Sequence, residues 1–257
     1  MKSYWVFYFF VVLQLCSTFQ DDSDTNRTVY VVPESSLSFG VCKNETCIMI
    51  SELAGTINVS NTFVFMPGYH MLDLRIHIFK ATMFSMIALS SSKYSSSQVK
   101  IICQLDSSLN FENISHTRIE NLTFIGCGNK VISCDQLTVE GSTFVGHNRS
   151  GTALEVIKTC VYIVNCSFVF NRVGSYHGPI KNPLNSSESF FAYIGGAVIS
   201  NQSHITIINS SFKGNRAELG GVIFLTMGSN ATMINSVLAN NRAEKVHTSV
   251  LSCASYY

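Results

Sequence analysis

An eight-residue segment occurs five times between residues 117 and 238, and the copies align without gaps. They read TRIENLTF, LTVEGSTF, VYIVNCSF, ITIINSSF and ATMINSVL, at residues 117–124, 137–144, 161–168, 205–212 and 231–238. Their last residues lie 20, 24, 44 and 26 positions apart, and the 44 resolves into one ordinary step plus an insertion. Repeats of this length predict a solenoid, in which each copy packs against its neighbours.

Apolar residues alternate inside each copy, which is the period of a β-strand and not of a helix. The alternation produces two apolar columns: Leu137, Val161, Ile205 and Ala231, and then Val139, Ile163, Ile207 and Met233. Helical repeats need a different period, and leucine-rich repeats need a spacing that this sequence lacks. We therefore predict an all-β fold, a single-stranded right-handed parallel β-helix (solenoid) with a short N-terminal capping segment.

A glycine motif follows the repeated segment about eight residues later. It reads Gly-Thr-Ala at 151–153 and Gly-Gly-Val at 220–222, whereas Gly195-Gly196-Ala197 is delayed by nineteen residues. The polar, proline-containing stretch before this delayed motif predicts a loop insertion at 174–193. Gly195-Gly196 and Gly220-Gly221 are expected to mark a tight corner at which a Cβ atom would clash.

Two further columns predict a structural ladder. The rings of Phe124, Phe144, Phe168 and Phe212, followed by Leu238, are expected to stack inside the β-helix as the spine of its core. Asparagine fills another column, with Gly141 as the one exception, and its members are Asn121, Asn165, Asn209 and Asn235. Asparagine tolerates the left-handed backbone of a sharp corner and can hydrogen-bond its copy in the next coil.

The domain boundaries follow from these motifs. We assign a signal peptide to 1–18, an N-terminal cap region to 19–59, the β-helix to 60–245 and a C-terminal tail to 246–257. Cys47–Leu53 is expected to form a short amphipathic helix over the first coil, and strands are expected at 61–68, 86–89 and 99–103. The tail offers no amphipathic cover, so the chain is either a fragment or has an open C-terminal coil that allows self-association.

The first eighteen residues resemble an export signal. Lys2 supplies the positive charge, the stretch from Trp5 to Leu15 is apolar apart from Gln14, and cleavage is expected near Thr18. A retained anchor is the alternative, and a lipoprotein signal at Cys16 fits less well. No later segment is apolar for long enough to cross a membrane, so we expect no membrane span after cleavage and a secreted, extracellular or cell-surface location.

Eight cysteines remain after removal of the signal, and an even number in an exported chain predicts disulfides. Cys42 and Cys47 enclose four residues and are expected to pair with each other. Cys103 and Cys127 are one repeat apart, which makes a bond between adjacent coils a further hypothesis. The spacing fits no zinc site. The full set of candidates is Cys42, Cys47, Cys103, Cys127, Cys134, Cys160, Cys166 and Cys253.

Sequons for N-glycosylation are frequent, and glycans on the exposed ones would help a weakly charged surface stay soluble. Part of this number is expected by chance in a chain so rich in Asn, Ser and Thr. The sequons at Asn121, Asn165 and Asn209 fall in the corner column and are set aside as ladder members. The remaining candidates are Asn26, Asn44, Asn58, Asn113, Asn148, Asn185, Asn201 and Asn230.

The motifs resemble those of a known repeat family. Gly195-Gly-Ala-Val198 together with Phe168-Val-Phe-Asn171, Phe212-Lys-Gly-Asn215 and Leu238-Ala-Asn-Asn241 is similar to the GGA-I and F-x-x-N repeats of polymorphic outer-membrane proteins. The same repeats occur in secreted β-helix proteins of simple animals. The resemblance covers about residues 60–245 and implies the fold; because β-helices include lyases, adhesins and structural modules, it implies no single function.

Charge limits the classes of partner. Only 13% of residues are charged and the net charge is +1, so the concentrated basic field that nucleic acid binding needs is absent. The seven histidines show no metal-binding spacing, and we expect neither a metal nor a cofactor. We predict a non-catalytic extracellular module for surface or matrix structure, adhesion, or recognition of an extracellular glycan or protein ligand.

A carbohydrate-active enzyme, of the polysaccharide lyase or glycoside hydrolase kind, is the alternative. Glu120 and Glu140 share an outward column on successive coils about 4.8 Å apart, close to the roughly 5–5.5 Å of retaining glycosidases. We favour two solvated glutamates, because no Arg, Tyr or Trp supports the pair in the sequence. Their column continues as Val164, Ile208 and Ile234, which we interpret as packing against a loop or, alternatively, as an apolar ladder for a partner.

Overall fold

The computed structural model describes residues 27–33, 46–53, 55–57, 60–89, 99–104, 107–149, 152–173 and 195–244. These ranges form parallel β-strands in four sheets, together with one turn of 3-10 helix at Ile50–Leu53. Buried and partly exposed residues alternate along the strands, because successive side chains of a strand point to opposite faces. The protein is therefore all-β, with an apolar interior enclosed by the sheets.

Sheet I has nine strands. In spatial order they are β2 (Cys47–Met49), β1 (Arg27–Val32), β4 (Asn61–Phe65), β7 (Met83–Ala88), β10 (His116–Glu120), β13 (Gln136–Glu140), β17 (Cys160–Val164), β21 (His204–Ile208) and β25 (Asn230–Ile234).

Sheets II and III continue the chain after each strand of sheet I. Sheet II contains β5 (Gly68–Leu72), β8 (Val99–Cys103), β11 (Thr123–Ile125), β14 (Thr143–Val145), β18 (Ser167–Val169), β22 (Ser211–Lys213) and β26 (Val237–Ala239). Sheet III contains β15 (Asn148–Arg149), β19 (Arg172–Val173), β23 (Arg216–Ala217) and β27 (Arg242–Ala243).

Sheet IV returns the chain to sheet I. Its strands are β3 (Gly55–Ile57), β6 (Arg75–Phe79), β9 (Ser108–Glu112), β12 (Gly128–Ile132), β16 (Leu154–Ile157), β20 (Val198–Asn201) and β24 (Ile223–Thr226). From β4 onward the chain visits sheets I, II and IV in turn, and from β15 it also passes through sheet III. Each strand thus pairs with strands one repeat away, which is consistent with a parallel β-helix.

The strand register agrees with the sequence alignment of the five copies. Phe124 pairs with Phe144, Phe144 with Phe168, Phe168 with Phe212, and Phe212 with Leu238. The pair Phe168–Phe212 joins strands on the two sides of the insertion, whose residues lie outside the described ranges. The steps of 20, 24, 44 and 26 residues in the sequence are therefore single steps between neighbouring strands.

The N-terminal region differs from the expected helix. Cys47–Met49 is a strand that pairs in parallel with Tyr30–Val32, and only Ile50–Leu53 is helical. The helix predicted over Cys47–Leu53 is therefore wrong in its first three residues. Edge pairing is the physical reason, because β1 would otherwise present unpaired backbone groups on that side. The strand expected at 61–68 ends at Phe65, and Gly68 begins β5.

Four phenylalanine rings stack in the interior. Their centroids lie 5.0, 4.7 and 4.8 Å apart from Phe124 to Phe212, and the planes differ by 12° or less. Parallel strands in register impose this spacing, because the repeat distance between strands is about 4.8 Å. Each ring is at most 1% exposed. The stack lies in the interior, where the sequence column predicts it.

Asparagine also occupies the corner between sheets I and II. The φ angles of Asn121, Asn165, Asn209 and Asn235 are 57°, 54°, 50° and 49°, and Gly141 has 57°. This left-handed residue begins the two-residue turn from a strand of sheet I into the next strand of sheet II, and asparagine and glycine tolerate its backbone best. The column's composition thus follows from backbone geometry.

The hydrogen-bonded asparagine ladder lies in a different column from the predicted one. Asn171 Nδ2 donates to Asn215 Oδ1 at 3.0 Å, and Asn215 Nδ2 donates to Asn241 Oδ1 at 2.9 Å. These are the asparagines of the F-x-x-N motif. In the predicted column Asn165, Asn209 and Asn235 are exposed. The corner asparagines therefore serve backbone conformation, whereas the buried column carries the ladder.

Hydroxyl groups form a second ladder, on the buried side of the corner between sheets I and II. Ser210 Oγ donates to Ile208 O and accepts the N–H of Cys166, and Ser142 Oγ donates to Glu140 O. Cys166 occupies the equivalent position in its own repeat, where its thiol donates to Val164 O at 3.2 Å. Cys166 therefore replaces a serine in this ladder.

Three predicted disulfide candidates carry free thiols in this structure, which corrects the expectation for them. Cys134 and Cys166 are buried at two different corners, and the Cys134 thiol donates to backbone carbonyls as Cys166 does. Burial raises the pKa of Cys134 and raises that of Cys166 to about 11, so both remain protonated thiols near neutral pH. Cys160 is exposed on the outer side of sheet I.

A disulfide joins Cys103 and Cys127, as hypothesised from their spacing. Its Cα atoms lie 5.0 Å apart, and it links the ends of neighbouring repeats. Cys47 is also disulfide-bonded. Cys42 and Cys253 lie outside the described residues, and so do the residues 1–18 assigned to a signal peptide from the sequence.

Close backbone contact explains the glycine corner. A Cβ atom on Gly196 would lie 2.3 Å from Gly221 O, and one on Gly221 would lie 2.5 Å from the backbone of Arg242. Real Cβ atoms do not approach backbone atoms this closely, so neighbouring repeats can stack here only if both positions lack a side chain.

His70 is a buried histidine on β5, and it lies in the same column of sheet II as the stacked phenylalanine rings. His70 pairs in register with Ile101, which pairs with Phe124. One ring nitrogen, Nε2, lies 2.8 Å from Met66 O, and Nδ1 is buried without a partner. Burial lowers the pKa of His70 below its ordinary value of 6.5, and the smaller effect of the bond to Met66 opposes this.

The protein is therefore expected to lose stability in mild acid. The unfolded chain binds a proton at this histidine below about pH 6.5, whereas the folded chain resists it, so the free energy of unfolding falls as pH drops below that value. Urea unfolding at about pH 7.5 and about pH 5.5 measures this loss. The His70→Leu variant should lose less stability than the wild type, and a His116→Gln control should behave as the wild type does. Equal losses in wild type and His70→Leu would contradict the assignment.

Candidate functional site

The outer face of sheet I is the best candidate for a functional surface. We define it by the outward residues of β10, β13, β17, β21 and β25, the strands that hold the five sequence copies. In each strand the first, third and fifth residues point outward, because the second and fourth pack in the core. Parallel register aligns these outward residues in three columns.

An arginine lies between the two glutamates identified in the sequence. Arg118 Nη2 is 2.8 Å from Glu120 Oε2 and 3.9 Å from Glu140 Oε2. Glu120 and Glu140 pair directly in register on β10 and β13. No arginine was expected near this pair from the sequence, although strand alternation places Arg118 on the same face as Glu120. The structure thus adds Arg118 to the candidate site.

Tyr162 extends the site from these charges along the sheet. It follows Arg118 and Thr138 in the middle outward column, and it is 43% exposed. A phenol ring on a flat sheet presents an apolar face and a polar edge, and such rings are common at recognition surfaces. Tyr162 was not among the residues expected from the sequence, because it lies outside the column that contains the two glutamates.

In the column formed by the fifth residue of each strand, the side chains change from charged to apolar along the sheet. Glu120 and Glu140 are followed by Val164, Ile208 and Ile234, and Ile234 is 44% exposed. The outer face therefore combines an ion-paired end with an apolar end. From the sequence, this column is expected to pack against a loop. The insertion at 174–193, which is one such loop, lies outside the described residues.

Sequons occur on several parts of the described surface. Asn113, Asn148 and Asn230 are exposed, whereas Asn201 is partly buried. The Asn230 Oδ1 atom accepts a hydrogen bond from His204 Nδ1 at 2.6 Å. The other candidates, Asn26, Asn44, Asn58 and Asn185, lie outside the described residues. Glycosylation of these asparagines stays a prediction.

The outer face lacks the enclosure that characterises small-molecule sites. A small cavity of about 10 Å³ lies in the interior near the N-terminal end and is lined by apolar residues including Ile50, Phe63 and Leu109. Within the described ranges, no group of three His, Cys, Asp or Glu residues is placed to hold a metal ion.

Among the residues that the structure describes, no helix is both long and apolar enough to span a bilayer. No known protein family, curated protein or solved structure matches this chain.

Proposed function

We propose that this chain is a non-catalytic, extracellular, right-handed parallel β-helix of the kind whose GGA-I and F-x-x-N repeats it resembles. It serves surface or matrix structure, adhesion, or recognition of a glycan or protein ligand. The regular stack of parallel strands supports the β-helix, and the buried asparagine column of the F-x-x-N motif supports the resemblance. The apolar leader, the sequons and the Cys103–Cys127 disulfide support export.

The observation that carries the recognition proposal is the composition of the outer face of sheet I. Arg118 lies 2.8 Å from one carboxylate and 3.9 Å from the other, so the three side chains present charged hydrogen-bonding groups next to one another on the outer face. Tyr162 lies beside this set and offers a ring for stacking against a sugar or an apolar side chain. A rigid sheet holds both features, which reduces the entropy lost on binding.

The proposal is tested by measuring binding of the secreted protein to a glycan array and to immobilised matrix proteins. We expect Tyr162→Ala or Arg118→Ala to weaken binding more than about tenfold, in line with the loss of one central contact. Lys130→Ala is the matched control, because it breaks the Lys130–Glu155 ion pair on sheet IV, away from the outer face. Binding that survives Tyr162→Ala and Arg118→Ala would remove the outer face as the recognition surface.

A glycoside hydrolase remains the second candidate, because Glu120 and Glu140 are register partners on neighbouring strands. The same assay reads released oligosaccharide by mass spectrometry. Hydrolysis that Glu120→Gln abolishes would overturn the non-catalytic proposal.

A further inference from the structure

A cysteine, a histidine and an asparagine lie side by side on the outer face of sheet I. Cys160, His204 and Asn230 are the first residues of β17, β21 and β25, and the register pairs Cys160 with His204 and His204 with Asn230. All three side chains are exposed. Neighbouring strands are about 4.8 Å apart, so Cys160 and His204 are adjacent side chains on this face, and the chemistry below requires the Cys160 side chain to rotate toward His204 Nε2 while the bond to Asn230 is kept.

The hydrogen bond to Asn230 fixes the state of the imidazole. His204 Nδ1 lies 2.6 Å from Asn230 Oδ1, and because the amide oxygen can only accept, Nδ1 carries the proton. In the neutral ring Nε2 is then the unprotonated nitrogen and is able to accept a proton. A nucleophile, a base and a group that orients the base form the general arrangement of an activated side chain.

Among the residues that the structure describes, three cysteines carry free thiols, and Cys160 differs from the other two in its environment. Cys134 and Cys166 are buried and donate to backbone carbonyls, and burial raises the pKa of both. Cys160 is exposed beside a histidine. A free exposed thiol is unusual in an exported protein and indicates reactivity or bonding to another molecule.

We propose that Cys160, His204 and Asn230 form a thiol–disulfide exchange site whose substrate is a low-molecular-weight disulfide. His204 Nε2 takes the proton of the Cys160 thiol, and the sulfur attacks one sulfur of the substrate disulfide. A new bond forms between Cys160 and that sulfur, while the substrate S–S bond breaks. The other sulfur leaves as a thiolate and receives the proton from His204. One disulfide is consumed and one is formed, so no further oxidant is needed.

Asn230 acts in this site as a positioning residue. Its Oδ1 atom accepts the hydrogen bond from His204 Nδ1, and it does not contact the reacting sulfur atoms at any stage of the exchange. A glycan on Asn230 would be attached to Nδ2, so the bond to His204 is compatible with the predicted sequon. The site lies on the same outer face as Arg118, Glu120 and Tyr162 but in the column of first residues, and Tyr162 is two residues from Cys160 on β17. Its chemistry uses none of those three side chains and does not rest on the proposed recognition function.

The test uses the full-length secreted protein with glutathione disulfide as the probe. Peptide mass spectrometry measures the rate at which the glutathionyl group is added to Cys160, with Cys134 and Cys166 as internal controls. We expect His204→Ala to slow the addition more than about tenfold, because a general base is lost. His116→Ala is the matched control, since His116 lies in the same column two strands away from Cys160 and should leave the rate unchanged.

Asn230 is tested with two variants. Asn230→Ala should slow the addition by less than His204→Ala does, and Asn230→Asp, which keeps an acceptor oxygen, should restore the rate. Unchanged thermal unfolding midpoints exclude an effect on folding. A wild-type rate in His204→Ala overturns the proposal. A disulfide already joining Cys160 to Cys253 or to a second copy in the purified protein overturns it as well, because the thiol would then be structural.

Discussion

Replacement of Phe168 by alanine is expected to lower the free energy of unfolding by about 3–5 kcal/mol. The ring is fully buried between those of Phe144 and Phe212, at centroid distances of 4.7 and 4.8 Å. Its removal leaves a cavity that the flanking rings cannot fill, because the strand register holds them in place. Urea unfolding of the wild type and of Phe168→Ala at pH 7 measures the difference.

Phe170 provides the matched control for this prediction. It lies two residues after Phe168, but its ring is 57% exposed and its backbone has a φ of 53°. We expect Phe170→Ala to change stability by no more than about 1 kcal/mol, as for most surface substitutions. A cost for Phe170→Ala as large as that for Phe168→Ala would contradict the assignment of the ring column to the core.

Asn215→Ala is expected to destabilise the protein by about 3 kcal/mol or more. The side chain accepts from the backbone N–H and the Nδ2 of Asn171, and it donates to Phe168 O and to Asn241 Oδ1. Alanine leaves the buried N–H of Asn171 and the carbonyl of Phe168 without these partners. Each unsatisfied buried group costs about 1–3 kcal/mol.

The control for Asn215 is Asn209, an asparagine of the corner column. Asn209 is exposed, and its φ is 50°. Asn209→Gly keeps the left-handed backbone accessible and should change stability by less than about 1 kcal/mol. If both variants lost the same stability in urea unfolding, the distinction between corner asparagines and ladder asparagines would be wrong.

The repeat made much of the fold predictable from the sequence. Gap-free alignment of the five copies established which residues would be neighbours, because in parallel strands equal positions in a repeat become register partners. The ring column and the glycine corner follow directly, since both depend on equal positions alone. The positive φ of Asn121 and its equivalents was predictable too, because few other residues tolerate that conformation.

Other features depend on distances that a repeat does not encode. The sequence shows asparagine at both 209 and 215, and only the direction of each side chain decides which is buried and hydrogen-bonded. Cys166 was expected to form a disulfide, but its position behind the corner makes it a substitute for serine. The strand at Cys47–Met49 belongs to no repeated segment, so nothing in the alignment indicates its pairing with β1.

The candidate site was only half predictable. Glu120 and Glu140 were recognised because they occupy one column, but Arg118 and Tyr162 lie in the adjacent column and join them only across the face of the sheet. Similarly, Cys160 was treated only as a disulfide candidate. Its neighbour His204 is 44 residues away in sequence, and the register across the insertion brings the two together.

The most direct test of the account concerns this register across the insertion. Ser167 and Ser211 lie in neighbouring strands with their hydroxyl oxygens 3.0 Å apart, although 44 residues separate them. The double variant Ser167→Cys with Ser211→Cys should therefore form a disulfide that peptide mapping detects. Thr123→Cys with Ser167→Cys is the control, because these positions lie two strands apart, about 9.5 Å, and should stay reduced. A bond in the control, or none between 167 and 211, would contradict the parallel stacking of the repeats.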